Sequence, residues 1–257
     1  MRKNDMKKKA SRIALYSSAA AVAMVGLLAL ATRHHKLTPS ELVDYAQDKI
    51  VVLNGPSNPN SGGTGFEVVA PSGKVYTMTN RHVCGLAENG IMSAQTKYHE
   101  RTVLLRVLEI SKDHDLCILE GIPNAKGYKV NDQEADNYDH LYVIGHPHLA
   151  PNTYSEGLVR ERAPIMLPDE EAKTEAECLA KPNHSVQEIV VFIFKVKMCF
   201  ESMDSMSTSV VIYPGNSGSP IFNDNNKVVG VVFASSSRDN YGHYVPLQYL
   251  TKLLSRY

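Results

Sequence analysis

The chain has 257 residues, of which 43% are hydrophobic and 21% are charged. These proportions exclude a disordered chain, a collagen-like repeat and a membrane protein with many spans. Lysine and arginine total 27, and aspartate and glutamate also total 27, so the formal net charge is zero. A neutral chain is not typical of a dedicated nucleic-acid-binding protein, and no nucleic-acid partner is expected.

The first 31 residues have the pattern of an export signal or a membrane anchor. Residues 1–12 contain six basic side chains, and residues 13–31 contain no charge and end in Ala-Leu-Ala. As a helix, the uncharged segment would be roughly 28 Å long, close to the thickness of the bilayer core. We therefore expect an exported protein (periplasmic, cell-envelope or extracellular), in which this segment is either cleaved or kept as a membrane anchor.

The rest of the chain predicts short β-strands between two helices. Residues 38–48 open with helix-start residues, and residues 246–256 place four leucines on one helical face. Short apolar runs separated by turn residues favour a β-sandwich or β-barrels. The predicted strands are 49–53, 64–69, 74–79, 102–109, 115–120, 141–145, 189–199, 208–213, 219–223 and 227–234. An acidic, alanine-rich segment at 168–182 predicts a helix inserted among them.

Four cysteines suit an exported protein with one or two disulfides. Cys178 falls near the end of the predicted acidic helix, and Cys199 ends the predicted strand 189–199. We predict that these two form a disulfide. For Cys84 and Cys117 we expect buried free thiols, although both fall close to the motifs described below.

The sequence predicts no metal site. No two cysteines have the Cys-x-x-Cys spacing of a zinc or redox centre. The histidines at 140, 146 and 148 are interpreted as part of a strand and the turn that follows it, because only two of them are close together and a proline separates those two.

Three short segments carry the groups that nucleophilic catalysis requires. Ser217 lies within Gly215–Pro220, where glycines leave room for an attacking hydroxyl and for backbone N–H groups near an oxyanion. His82 follows one apolar strand and is the candidate base, and Asp115 enters another and is the candidate acid. Taken alone, each segment is typical of a turn or a surface position. Together they predict a catalytic triad, in which Asp113 is the competing acid.

These motifs resemble those of the chymotrypsin-like (trypsin-fold) serine peptidases, in their bacterial HtrA/Do-type and glutamyl-endopeptidase-like branches. Similar segments occur in family order between about residues 62 and 252. They are Thr64-Gly65-Phe66, Thr79-Asn80-Arg81-His82-Val83, Asp115-Leu116-Cys117-Ile118-Leu119, Val143-Ile144-Gly145-His146-Pro147, Gly157-Leu158-Val159, Gly215–Pro220 and Tyr244-Val245-Pro246.

The resemblance implies an all-β fold of two six-stranded antiparallel barrels, at about 49–130 and 131–245, with a C-terminal helix and an N-terminal hydrophobic helix before them. The peptidase domain would cover 38–257, with an insertion at about 160–200. Because the chain ends just after the terminal helix, no PDZ-like domain is expected.

The resemblance also implies a mechanism of peptide-bond hydrolysis. Ser217 would attack the carbonyl, His82 would transfer the proton, and Asp115 would orient the imidazole. The N–H groups of Gly215 and Ser217 would form the oxyanion hole. Proteins or peptides would be the substrates, with no metal or organic cofactor. The alternative function is a catalytically inactive binding module with the same fold.

Specificity is predicted from the positions that form the primary pocket in the family. The pocket floor, six residues before the nucleophile, would be Val211 rather than the aspartate of trypsins, and Val232 stands where glutamate-cleaving relatives have a histidine. The remaining walls would be Phe233, Ala234, Ser235 and Gly242. These residues predict cleavage after small or medium aliphatic side chains. An inward-facing His243 would instead favour acidic substrates.

Overall fold

The structure is a computed structural model that describes residues 37–96, 102–150, 152–169, 172–191, 194–235 and 241–257. The predicted N-terminal signal or anchor, 1–31, lies outside the described residues. Within them, every helix is too short or too polar to span a membrane.

The first six strands form a closed antiparallel barrel. Its strands are β1 (Ile50–Gly55), β2 (Asn58–Val69), β3 (Val75–Thr79), β4 (Ile91–Gln95), β5 (Val103–Ile110) and β6 (Cys117–Glu120). They are ordered β1-β2-β3-β6-β5-β4 around the barrel. Alternate residues point inward, and Leu53, Met92, Leu105 and Leu119 belong to its buried core.

The other seven strands form a second sheet. They are β7 (His140–Gly145), β8 (Thr153–Pro168), β9 (His184–Val191), β10 (Phe194–Thr208), β11 (Pro220–Asn223), β12 (Val228–Ser235) and β13 (Gly242–Pro246). Their order is β13-β12-β11-β7-β8-β10-β9, and β10 also pairs with β13. Six of these strands therefore close on themselves, as expected for a second barrel, while β9 continues the sheet outward from β10.

Four short α-helices accompany the strands in the described part of the chain. They are α1 (Pro39–Ala46), α2 (Arg81–Cys84), α3 (Glu175–Leu179) and α4 (Leu247–Leu254). Helix α4 buries the four leucines that predicted it. The helix predicted over 168–182 is wrong for most of its length, because α3 is the only helical part of the residues described in that range. Thr174 is the N-cap of α3 and forms a capping box with Glu177, so the helix begins at the next residue, Glu175.

Several predicted strands differ in extent from those observed. The run at 189–199 is divided between the paired strands β9 and β10, and 208–213 is not a strand beyond Thr208. Strands β4 and β8 were not predicted. Much of β8 alternates between exposed and partly exposed residues, with charged residues among them, so its apolar signal is weak.

All four cysteines form disulfides. Cys178, in α3, is bonded to Cys199, in β10, as the sequence predicts. Cys84 is bonded to Cys117, so the expectation of free thiols there is wrong. The pairing of β3 with β6 places Thr79 opposite Cys117, and α2 begins two residues after Thr79. This register brings the two sulfurs together beside the candidate triad.

Candidate active site

His82 and Asp115 meet between α2 and the start of β6. The His82 backbone N–H donates to Asp115 Oδ1 at 3.0 Å, and its Nδ1 lies 2.6 Å from Oδ2. Because an ionised carboxylate only accepts hydrogen bonds, Nδ1 carries a proton and Nε2 remains available as a base. The Asp115 side chain is 5% exposed, whereas that of His82 is 49% exposed. The acid is thus buried, and the ring it orients reaches solvent.

The partner of His82 is Asp115 and not Asp113. Asp113 is exposed, whereas Asp115 is buried at the barrel end. Asn80 is also fully buried, and its side-chain amide donates to the Asp115 carbonyl at 2.8 Å. This bond fixes the backbone of the acid relative to the end of β3, which leads into α2.

Ser217 lies on a tight turn before β11. The Asn216 N–H donates to Tyr213 O at 3.0 Å, and the Ser219 N–H donates to Asn216 O at 2.9 Å, so two successive turns surround the serine. Gly218 has φ of +87°, and a Cβ there would lie 2.0 Å from a backbone oxygen of β2. Only glycine fits this position, and Ser217 itself is partly exposed.

Both sheets hold this turn. From β2, the Thr64 N–H donates to Ser217 O at 2.7 Å, and Thr64 Oγ1 donates to Gly215 O at 2.8 Å. From β12, Val232 O accepts the Gly218 N–H at 2.8 Å. The nucleophile candidate is therefore fixed by the same two barrels that meet around it.

The backbone N–H groups of Gly215 and Ser217, the predicted oxyanion hole, are both without an acceptor among the described residues. The carbonyl of Pro214, which shares a peptide with the Gly215 N–H, accepts from the His148 N–H at 2.6 Å. The C=O and N–H of a trans peptide point in opposite directions, so this contact turns the Gly215 N–H away from His148. Both groups remain available for a developing oxyanion.

Ser217 Oγ and His82 Nε2 form no hydrogen bond in the part of the chain that the structure describes. In ligand-free hydrolases this contact is often long and tightens only when substrate binds. The hydrogen bonds that hold His82 on Asp115, and those that hold the turn around Ser217, do not depend on this contact.

Val211, the predicted floor of the primary pocket, has neighbours in different surroundings from its own. Val211 is 50% exposed, whereas its neighbour Val210 is fully buried in the core of the second sheet with Val232. Ile212 packs against the same core, and its Cγ1 lies 2.5 Å from where a Cβ on Gly242 would be.

The other predicted pocket positions lie on β12. Phe233 is almost fully buried at a bulge, Ala234 is partly exposed and Ser235 is exposed. On the neighbouring strand, His243 points opposite to Gly242 and Tyr244, as alternation along β13 requires. Its Nδ1 lies 3.3 Å from Ser205 Oγ of β10. His243 thus faces away from the side of the strand that Gly242 occupies.

Sequence reasoning missed two elements of the site. One is Thr64, whose hydroxyl bridges the two barrels, and the other is the turn at residues 146–150, which orients Pro214 O. The sequence Gly145-His146-Pro147 indicates a turn at this point but gives no sign that the turn contacts the nucleophile loop.

A histidine, an aspartate and a cysteine also converge in the insertion, where Asp169, His184 and Cys199 offer possible metal ligands. The sulfur of Cys199 is bonded to Cys178, and the Asp169 carboxylate lies 2.7 Å from Lys181 Nζ and 3.2 Å from His184 Nε2. The cluster is a Lys181–Asp169 ion pair with His184 beside it, next to a disulfide.

Several solved structures with a similar fold are proteases from bacteria. The active form of the Rv3671c protease from Mycobacterium tuberculosis is similar with a TM-score of 0.62 and 20% identity, over 83% of this chain and 82% of that one. The MamO protease domain from Magnetospirillum magneticum gives 0.57 and 17%, over 81% and 96%. A serine endoprotease from Yersinia pestis gives 0.57 and 18%, over 87% and 68%.

The family comparison agrees with the site and the fold. No curated protein sequence matches the chain. The model of the trypsin-like peptidase domain matches residues 63–231, a range that contains His82, Asp115 and Ser217. The chain therefore belongs to the trypsin-like peptidase family and is a serine endopeptidase in class.

Proposed function

We propose that the protein hydrolyses peptide bonds through Ser217, His82 and Asp115, with the N–H groups of Gly215 and Ser217 as the oxyanion hole. The observation that carries the proposal is the double hydrogen bond of His82 to the buried Asp115 carboxylate. It supports a ring held in one tautomer with its other nitrogen exposed, which is what a general base for a serine needs.

The proton path follows from these contacts. Ser217 Oγ attacks the substrate carbonyl while its proton passes to His82 Nε2, and Asp115 stabilises the resulting imidazolium. The negative charge that develops on the carbonyl oxygen is met by the two N–H groups. His82 then returns the proton to the leaving amine, and water repeats the sequence to release the acyl group.

Kinetics of matched variants test the assignment of the acid and the base. Ser217→Ala, His82→Ala and Asp115→Asn are each expected to lower kcat by about 10⁴-fold or more. Asp113→Asn, which changes an exposed carboxylate two residues away, is the control and should retain activity close to wild type. Activity lost in Asp113→Asn but kept in Asp115→Asn would contradict the assignment.

The same proposal extends to substrate preference. Ile212 packs beside Gly242, and His243 lies on the other side of β13 with its Nδ1 3.3 Å from Ser205 Oγ, which supports cleavage after small or medium aliphatic residues. Ile212, Phe233 and Ala234 offer no carboxylate that could bind a substrate lysine or arginine, and no imidazole that could bind a substrate glutamate.

Peptide-library profiling tests the preference. Ile212→Ala should enlarge the pocket and raise kcat/KM for leucine or phenylalanine relative to alanine by about 10-fold, the scale of one or two methylene groups in an apolar pocket. Val211→Ala is the control and should not change the profile, because that side chain is half exposed. A dominant preference for Arg, Lys or Glu in wild type would refute this pocket.

A further inference from the structure

The turn at residues 146–150, between β7 and β8, is closed by its own hydrogen bonds and is conformationally unusual. The Leu149 N–H donates to His146 O and the Ala150 N–H to Pro147 O, both at 2.9 Å. His148 and Leu149 have φ of +51° and +59°, in the left-handed region that side-chain-bearing residues seldom adopt. Two such residues in succession persist only where surrounding contacts impose them.

The turn packs directly on the nucleophile loop. A Cβ on Gly215 would lie 2.4 Å from His146 O and 2.8 Å from His148 N. The His148 N–H donates to Pro214 O at 2.6 Å, and this contact decides which way the Pro214–Gly215 peptide points. If the peptide flipped, its carbonyl would replace the Gly215 N–H in the oxyanion hole.

The buried side chain of His146 stabilises the turn through a hydrogen bond to its last residue. Its side chain is almost fully buried at 2% exposure, and its Nδ1 lies 2.9 Å from Ala150 O. A carbonyl only accepts, so Nδ1 carries the proton, and burial lowers the pKa of this histidine, which keeps the ring neutral. Its backbone N–H donates to Thr64 Oγ1 at 3.1 Å, and the same hydroxyl donates to Gly215 O.

We propose that His146 is a positioning residue for the oxyanion hole, an inference that rests on the proposed hydrolase function. The imidazole adds a third hydrogen bond to the turn by donating to Ala150 O, and the turn so stabilised holds the His148 N–H on Pro214 O. The Gly215 N–H is thereby kept pointing at the oxyanion. Thr64 supports the same loop by joining the His146 backbone to Gly215 O.

Steady-state kinetics on a fluorogenic peptide that wild type cleaves test this inference. His146→Leu fills the same buried space with an apolar side chain of similar size and removes the Nδ1–H donor. Loss of one oxyanion donor costs about 10²–10³ in kcat, so a loosened donor should cost about 10- to 100-fold in kcat with KM changed by less than about 3-fold. His146→Asn restores an N–H at the Nδ1 position and should recover kcat to within about 5-fold of wild type.

The control is His140→Leu, at the opposite end of β7, where Nδ1 lies 2.8 Å from Asp224 Oδ1. It should leave both kinetic constants near wild type. If His146→Leu does not fold, Thr64→Val decides, because it removes only the hydroxyl and should also lower kcat by about 10-fold or more.

Wild-type kcat in the folded His146→Leu protein would overturn the inference, as would an equal loss in His146→Leu and His146→Asn. Wild-type kcat in Thr64→Val would overturn it if the leucine variant is unfolded. These results differ from failure of the proposed function, in which wild type itself would not cleave any peptide.

Discussion

Glu67 is a buried carboxyl group whose ionisation should weaken the fold as pH rises. It lies in β2 with no solvent exposure, and burial raises its pKa from 4.5 to about 7. Thr77 Oγ1 lies 2.6 Å from Glu67 Oε1 and 2.9 Å from Glu120 O. A hydroxyl has one hydrogen, so both contacts are satisfied when protonated Glu67 donates to Thr77 and Thr77 donates to Glu120 O.

The free-energy change follows from proton linkage. Between pH 4.5 and about 7 the folded state binds more protons at Glu67 than the unfolded state, so stability falls as pH rises through this window. With about 1.4 kcal/mol for each unit of pKa difference, the full loss is about 3 kcal/mol, of which about 2–3 kcal/mol falls between pH 5 and pH 8. Glu67→Gln keeps the shape and both hydrogen bonds but cannot ionise.

Urea unfolding of wild type and Glu67→Gln at pH 5 and pH 8, with disulfides intact, measures this effect. The variant should gain about 2–3 kcal/mol relative to wild type at the higher pH, because other groups titrate equally in both proteins. Glu188→Gln, at an exposed carboxylate of β9, is the control. A stability difference between Glu67→Gln and wild type that is the same at both pH values would refute the reasoning.

The two disulfides should have separable effects. Replacing Cys178 and Cys199 together by alanine should lower the free energy of unfolding by about 3 kcal/mol and leave kcat unchanged, since the bridge lies in the insertion. Replacing Cys84 and Cys117 together should cost about 4 kcal/mol and also lower kcat, because this bridge joins the helix of His82 to the strand after Asp115. Urea unfolding and peptide kinetics on the same samples check both; equal kinetic effects would contradict the distinction.

Local sequence patterns select the candidate site residues because these groups fall at the ends of strands. His82, Asp115 and Ser217 are each adjacent to an apolar run, and the glycines beside the serine are visible in the sequence, whereas the steric need for Gly218 comes from its contact with β2 in the fold. The Cys178–Cys199 pairing was also predictable, since each cysteine ends a recognisable segment.

Other features depend on contacts between distant segments. The Cys84–Cys117 bridge follows from the register of β3 on β6, and the contact between Ile212 and Gly242 follows from the packing of the loop on β13. The exposure of each residue between 210 and 212 has no signal in the sequence, because Val210, Val211 and Ile212 are all apolar and only the fold decides which one faces solvent.

Labelling with a fluorophosphonate, followed by peptide mapping, tests the central claim most directly. Only a serine activated by a base and an oxyanion hole reacts rapidly with this reagent. We predict one label per chain on Ser217 in the folded wild-type protein at pH 8 and none in Ser217→Ala. A folded protein that takes no label, or takes it on Ser219 instead, would contradict the claim and favour an inactive binding module.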